Sequence, residues 1–409
     1  MMKEFINRKL QEIRQVLGRG ELAADEDALC CIETLVFRDT EAGRFSEEEL
    51  EDAIRKLFYK TRCRMGILQP LLEDDTVTEI MVNGPEHIFI ERKGRIQRYP
   101  MCFDSAEELE EIIRNIAAQV HREFNELQPI VDARLDNGSR VNGVYRNVAV
   151  NGPILTIRKF SGNHMTMEDL IRSGTIDRKG ADLLFCLTEC RYNIFISGGT
   201  SSGKTTFLNA LADAVPEGER IIVIEDSSEL KLSGIENIVH LECRNSNALG
   251  RGQVTMSQLI KSSLRMRPDR IIVGEVRGGE VLDMLQAMNT GHAGSMSTGH
   301  GNSAEGMLQR LETMYMMAMP LHVDAVRSQI AEAVDIMVHL ERMEDGRRQV
   351  MEICEITGYR NQAFQKNTLM VRDNAGHLQA TGNHLQQRRK LLLKGENYAG
   401  RLREMGFVD

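Results

Sequence analysis

The chain has 409 residues, 42% of them hydrophobic and 27% charged, a composition that predicts a folded protein of two or three domains. A formal charge of −9, with no dense Lys/Arg tract and no Trp, argues against a protein that coats a nucleic-acid backbone. No long apolar run occurs, and none follows Met1-Met2-Lys3-Glu4-Phe5, so neither a membrane-spanning helix nor a signal peptide is expected.

Residues 1–64 read as a helical extension, with Phe5, Leu10, Ile13 and Val16 at helical spacing. The acidic run Glu47-Glu48-Glu49-Leu50-Glu51-Asp52 after the cap residue Ser46 predicts a solvated first turn, where the helix dipole favours negative charge. From Leu68 the texture changes to short β-rich runs at 78–82 and 87–91, separated by Asn83-Gly84 and followed by Lys93-Gly94. A helix is expected over 106–122, where Leu109, Ile112, Ile113, Ile116 and Val120 form one apolar stripe, and further strands at 139–144 and 154–158. Together these predict a small α/β domain over 65–160. The polar connector Lys159-Phe160-Ser161-Gly162-Asn163 introduces a linker, 161–172.

Over 173–370 strands and helices alternate, the mark of a parallel sheet with crossover helices. Its strands are expected at 193–197, 221–225, 270–274 and 294–298. Residues 371–409, with Gln386-Gln387-Arg388-Arg389-Lys390 and few core signals, are expected to form a loosely attached tail. The cluster Met314, Met316, Met317 and Met319 predicts core or subunit packing. Eight cysteines without a CxxC pair predict scattered thiols, with neither a disulfide framework nor a structural metal, and Cys186 and Cys190, four apart on a helix, are expected in the core.

Chemistry enters at Gly198-Gly199-Thr200-Ser201-Ser202-Gly203-Lys204-Thr205, a match to GxxxxGK[ST]. The apolar Ile194-Phe195-Ile196 precedes it, and Thr206 followed by Phe207, Leu208 and Leu211 leaves it with helical spacing. Strand, glycine loop and helix bring backbone N–H groups and a helix N-terminus onto phosphate oxygens. Lys204 would reach the β- and γ-phosphates, and the Thr205 hydroxyl would ligate Mg²⁺. Two strands end in carboxylates: Ile224-Glu225-Asp226, with Glu229 just beyond, and Val273-Gly274-Glu275. At the carboxyl ends of strands in an open α/β sheet they belong beside the loop. Glu275 is assigned to polarising water, and Glu225, Asp226 and Glu229 to orienting Mg²⁺ and its waters, with Glu225 and Glu275 as metal contacts partly through water. His292 and His300 lie in a Gly-rich polar stretch, where imidazole can sense a γ-phosphate.

These blocks in this order, with Leu264-Arg265-Met266-Arg267-Pro268-Asp269 leading into the second acidic strand, resemble the type II/type IV secretion ATPase superfamily, and within it the CpaF/TadA branch that serves Tad-type pili. The resemblance extends over most of residues 65–360. It implies an α/β architecture: a RecA-like P-loop NTPase domain preceded by a small α/β, PAS-like N-terminal domain and the helical extension. It also implies a homohexameric ATPase using ATP and Mg²⁺, with Arg134, Arg140 and Arg158 lent to the nucleotide by the N-terminal domain. The implied setting is the cytoplasmic side of a bacterial inner membrane, held there by a platform protein and without stable nucleic-acid binding. A nucleic-acid-translocating motor of a conjugation-type system is the alternative. The tetracysteine zinc module common in type II secretion and pilus-extension members is absent from the sequence, and His300 is followed by Gly301-Asn302 in place of the commoner small-residue-Asn ending.

Overall fold

The computed structural model describes residues 2–17, 25–92, 94–160, 165–232, 234–244, 246, 250–373 and 375–409. The chain divides into two compact units, Met1–Ser161 and Gly162–Asp409, each of which is described by itself.

The first unit opens with α1 (Met2–Leu17), α2 (Asp25–Phe37) and α3 (Glu47–Arg62), which bury Phe5, Ile13, Ile32, Val36 and Leu57 in one apolar cluster. The acidic run is the exposed first turn of α3, held by a reciprocal cap in which Ser46 and Glu49 satisfy each other's backbone N–H groups. After α4 (Gln69–Glu73) come β1 (Val77–Asn83), β2 (Ile88–Arg92), β3 (Arg95–Arg98), α5 (Ala106–Gln119), β4 (Ile130–Arg134), β5 (Arg140–Val144) and β6 (Ile154–Arg158). The six strands form one sheet in the order β3-β2-β1-β6-β5-β4. Their alternation gives the sheet one apolar face, where Ile80, Val82, Val141 and Ile157 meet Ile112, Ile113 and Ile116 of α5. The helical extension and the small domain thus share one unit; Lys60 of α3 pairs with Asp104 and Glu108 at the start of α5.

The second unit begins with α6 (Met167–Arg172), a helix inside the expected linker whose Thr166–Asp169 capping box starts it. Residues 161–164, at the start of the expected linker, lie outside the described residues. The chain continues through α7 (Arg178–Glu189), β7 (Ile194–Gly198), α8 (Lys204–Ala212), β8 (Ile221–Glu225), β9 (Ile238–Glu242), α9 (Met256–Ser263) and β10 (Arg270–Val276). Then follow α10 (Val281–Asn289), β11 (Met296–His300), α11 (Ala304–Ala318), α12 (Val323–Ala333), β12 (Ile336–Arg342), β13 (Arg348–Arg360), β14 (Ala363–Arg372), β15 (Leu378–Ala380), α13 (Arg389–Lys394) and α14 (Glu396–Glu404). All nine strands join one sheet, β15-β14-β13-β12-β7-β11-β10-β8-β9. From β12 to β9 the pairings are parallel, and β13 to β15 extend the β12 edge antiparallel. The parallel strands β7, β8 and β10 are buried almost along their whole length because helices cover both faces. Cys186 and Cys190 are buried in the core on one of those faces.

One sequence expectation changes. The C-terminal segment is integral to the core: Leu385, Leu391, Leu402, Phe407 and Val408 are buried in the main cluster beside Ile194 and Leu187. These apolar positions serve a sequence of short elements, so no single period announces them. The expected packing cluster divides: Met314 is in the core, and Met316, Met317 and Met319 are exposed.

Phe407→Ala should therefore cost about 3–5 kcal/mol, read as an earlier urea midpoint for the second unit. A change below ~0.5 kcal/mol would show that the segment contributes nothing to the core.

Candidate active site

The loop between β7 and α8 is shaped by contacts that leave no room for side chains. A Cβ on Gly198 would lie 2.5 Å from the carbonyl oxygen of Leu340 on β12 and 2.5 Å from Ser202 Oγ. Ser201 and Gly203 take left-handed backbone conformations, φ +58° and +91°, and Gly203 starts α8 without a side-chain cap. Gly203 has no side chain to cap the first N–H groups of α8, and a helix end built this way suits an anion. Lys204 is buried and folds back over the loop, its Nζ donating to the carbonyls of Gly198 at 3.1 Å and Gly199 at 2.9 Å.

The acidic strands are not direct neighbours of β7. β11 lies between β7 and β10 and places His300 opposite Gly198. His300 Nδ1 is 3.5 Å from Lys204 Nζ, and its Nε2 is 2.6 Å from Glu275 Oε1. That second contact is off the line of a hydrogen bond, so this buried carboxylate oxygen has no aligned donor. Burial lowers the pKa of His300 and favours its neutral form, although Glu275 pulls the other way. The other oxygen, Oε2, accepts from Arg277 Nη2 at 2.8 Å, and Arg277 Nη1 is 3.6 Å from Asp226. Loop, lysine, imidazole and carboxylate form one continuous chain across three strands.

The remaining expected residues divide. Asp226 and Glu229 contribute to the negative field around Arg277. Glu225, expected at the magnesium, is buried, and its Oε1 accepts the backbone N–H groups of Glu229 at 2.9 Å and Leu230 at 3.0 Å. Its strand, β8, stands three places from β7 in the sheet, about 14 Å away at the usual strand spacing. In this geometry Glu225 shapes the turn after β8, and Gly274 is a glycine because a Cβ there would come within 2.9 Å of the Glu225 side chain. His292 does not join the site. It precedes β11, and its carbonyl accepts from Ser295 Oγ, which in turn takes the N–H of Ile271 at the start of β10. It therefore lies at the amino end of the sheet, a full strand length, ~13 Å, from His300.

Arg134, Arg140 and Arg158 belong to the first unit, where register makes them one row: Arg134 pairs with Arg140, and Arg140 with Arg158. Directly paired residues share a face, and like charges in that arrangement repel. Glu79 continues the row beside Arg158.

Four contributors were not anticipated. Arg348 Nε on β13 donates to the loop carbonyl of Ser201 at 3.3 Å. Beneath the loop, Ser197 Oγ is 2.8 Å from His339 Nδ1, and His339 Nε2 is 3.3 Å from Glu341. Burial favours neutral His339, so Ser197 donates to Nδ1 and Nε2–H donates to Glu341. The apolar run containing His339 was a visible strand signal; nothing local marked Arg348.

Ser202 Oγ and Glu275 Oε1 are buried without an aligned partner, and with Lys204, the Thr205 hydroxyl and the uncapped α8 N-terminus they supply the donors and acceptors that phosphate oxygens and a hydrated cation need. The residues fit.

Fold and site together define a RecA-like P-loop ATPase with two α/β units. The chain belongs to the type II/IV secretion system protein family, whose model matches residues 62–396. It is 38% identical over 300 residues to the conjugal transfer protein TrbB of Rhizobium radiobacter, covering 72% of this chain and 88% of that one. It is 33% identical over 313 residues to the type IV secretion system protein PtlH of Bordetella pertussis, covering 70% and 92%. The Legionella pneumophila ATPase DotB shares the fold, with a TM-score of 0.51 at 20% identity over 83% of this chain and 86% of that one. Among the described residues no helix is long and apolar enough to cross a membrane.

Gly198→Ala should displace either the loop or β12 and cost about 1–3 kcal/mol, with nucleotide affinity lost in the protein that still folds. Wild-type affinity for a fluorescent ATP analogue in this variant would contradict the close approach.

Proposed function

We propose that this chain is the motor of a pilus-assembly or protein-secretion system of the CpaF/TadA kind, a homohexamer held at the cytoplasmic face of an inner membrane by a platform protein. The observation that supports it best is the chain Lys204–His300–Glu275, which couples the phosphate loop to a carboxylate poised for water. Loop N–H groups and the α8 N-terminus hold the phosphates, and Lys204 exchanges the carbonyls of Gly198 and Gly199 for β- and γ-phosphate oxygens. Thr205 and Glu275 would contact Mg²⁺, with Asp226 and Glu229 orienting its waters. The ion supplies neutralisation of charge on the transferring phosphoryl group. Glu275, released from Arg277, polarises the attacking water, and His300 reports the γ-phosphate to β10. The guanidinium forks of Arg134, Arg140 and Arg158 would suit γ-phosphate oxygens, in agreement with a role as arginines lent by the N-terminal unit.

A second reading has a specific observation behind it: relatives such as TrbB are named for conjugal transfer. Single-stranded DNA that stimulates turnover with steep salt dependence would favour that reading. The overall charge of −9 opposes it.

Lys204→Ala should weaken ATP binding by at least about 100-fold, whereas Glu275→Gln should keep affinity and lose roughly 10²–10⁴ in turnover. Wild-type turnover in the Glu275 variant would remove the assigned water-polarising role. Arg140→Ala should depress kcat on the order of 10³-fold with little change in nucleotide affinity; parallel losses in kcat and affinity would indicate simple binding.

A further inference from the structure

The C-terminal segment carries a feature that the motor site does not use. Residues Gln386-Gln387-Arg388-Arg389-Lys390-Leu391-Leu392-Leu393-Lys394 hold four cations and no acid in a chain whose net charge is −9. Helix α13 divides this stretch into two faces. Leu391 is buried, and Lys390 turns inward to pair with Asp335 beside the amino end of β12. Leu392 and Leu393 point outward, 66% and 78% exposed. Arg389 precedes them by three and four residues and so shares their face of the helix.

The cations around this face are not equivalent. Arg388 pairs with Asp409, Arg401 with Glu189 and Arg403 with Glu396. Among the described residues Arg389 and Lys394 have no carboxylate within ion-pair reach. Two adjacent exposed leucines flanked by two uncommitted cations are the chemistry of an anionic lipid surface: the side chains enter the acyl boundary while the charges stay among the headgroups.

We propose that Leu392 and Leu393, with Arg389 and Lys394, form a direct docking patch for an anionic bilayer. This rests on the reading of the chain as a motor working at a membrane, and adds a lipid contact to the anchoring by a protein partner. Charge selects the occupant. A second copy of the chain would have to bring acid to this face, whereas a bilayer rich in phosphatidylglycerol presents it uniformly. One patch is a weak anchor, and several on one assembly would multiply in effect.

The full-length protein is floated with vesicles of phosphatidylglycerol and phosphatidylcholine, or of phosphatidylcholine alone, without nucleotide. Binding to the anionic vesicles should exceed binding to the neutral ones by about tenfold and fall as salt screens the headgroups. Leu392→Ser with Leu393→Ser should lower it at least about tenfold, and Arg389→Gln with Lys394→Gln should remove its salt dependence. ATP turnover in solution should stay within about twofold of the parent in both variants, because neither pair touches the site; that turnover tests the motor reading separately. Three results would overturn the proposal: no flotation of the parent protein, equal flotation of the leucine variant, or a change in oligomer size of that variant without vesicles, which would make the patch a subunit contact.

Discussion

The arrangement of the site depends on one buried amide at the opposite end of the sheet. Asn193, just before β7, accepts the N–H groups of Gly294 and Ser295 ahead of β11 and donates to the carbonyl of Ala333 ahead of β12. Its own N–H goes to Asp335 at 2.6 Å. One side chain thus fixes the register of the phosphate-loop strand against both neighbours. Five residues later that register delivers His300 on one side of Gly198 and Leu340 on the other. A slip of one residue would turn His300 into the core and move the Leu340 carbonyl away from the glycine it shapes.

The same end of the sheet is braced by charge. Arg270, fully buried at the start of β10, pairs with Glu219 and donates to the carbonyls of Thr188 and Gly294. A buried guanidinium is tolerated only when its donors are met, and here they are met by groups from three separate segments. The amino end of the sheet is therefore braced by buried polar groups, while the carboxyl end carries the loop, His300 and Glu275. His292 belongs to the first of these ends and His300 to the second.

How much of this was legible depended on sequence distance. The loop and its helix were readable because eight consecutive residues carry the geometry, and the acidic strand ends because apolar runs lead into them. The insertion of β11 between β7 and β10 could not be read, since strand order is a property of crossovers. Two histidines eight residues apart look equivalent in sequence, and a five-residue strand separates them into opposite ends. Glu225 resembles a metal ligand in sequence, and one of its carboxylate oxygens holds the turn after β8. Arg348, which holds the loop from an antiparallel strand, had no local mark, and the arginine row emerged only from the register of β4, β5 and β6.

Lys204 on the carbonyls of Gly198 and Gly199 has a kinetic meaning. The loop backbone already satisfies the cation, so a phosphate held as proposed above would compete with the protein's own carbonyls, and its net gain would be smaller than the contacts it forms. Under that proposal the same carbonyls would offer the lysine a place to return to after hydrolysis, and the loop would hold the spent nucleotide less tightly than its donors alone imply.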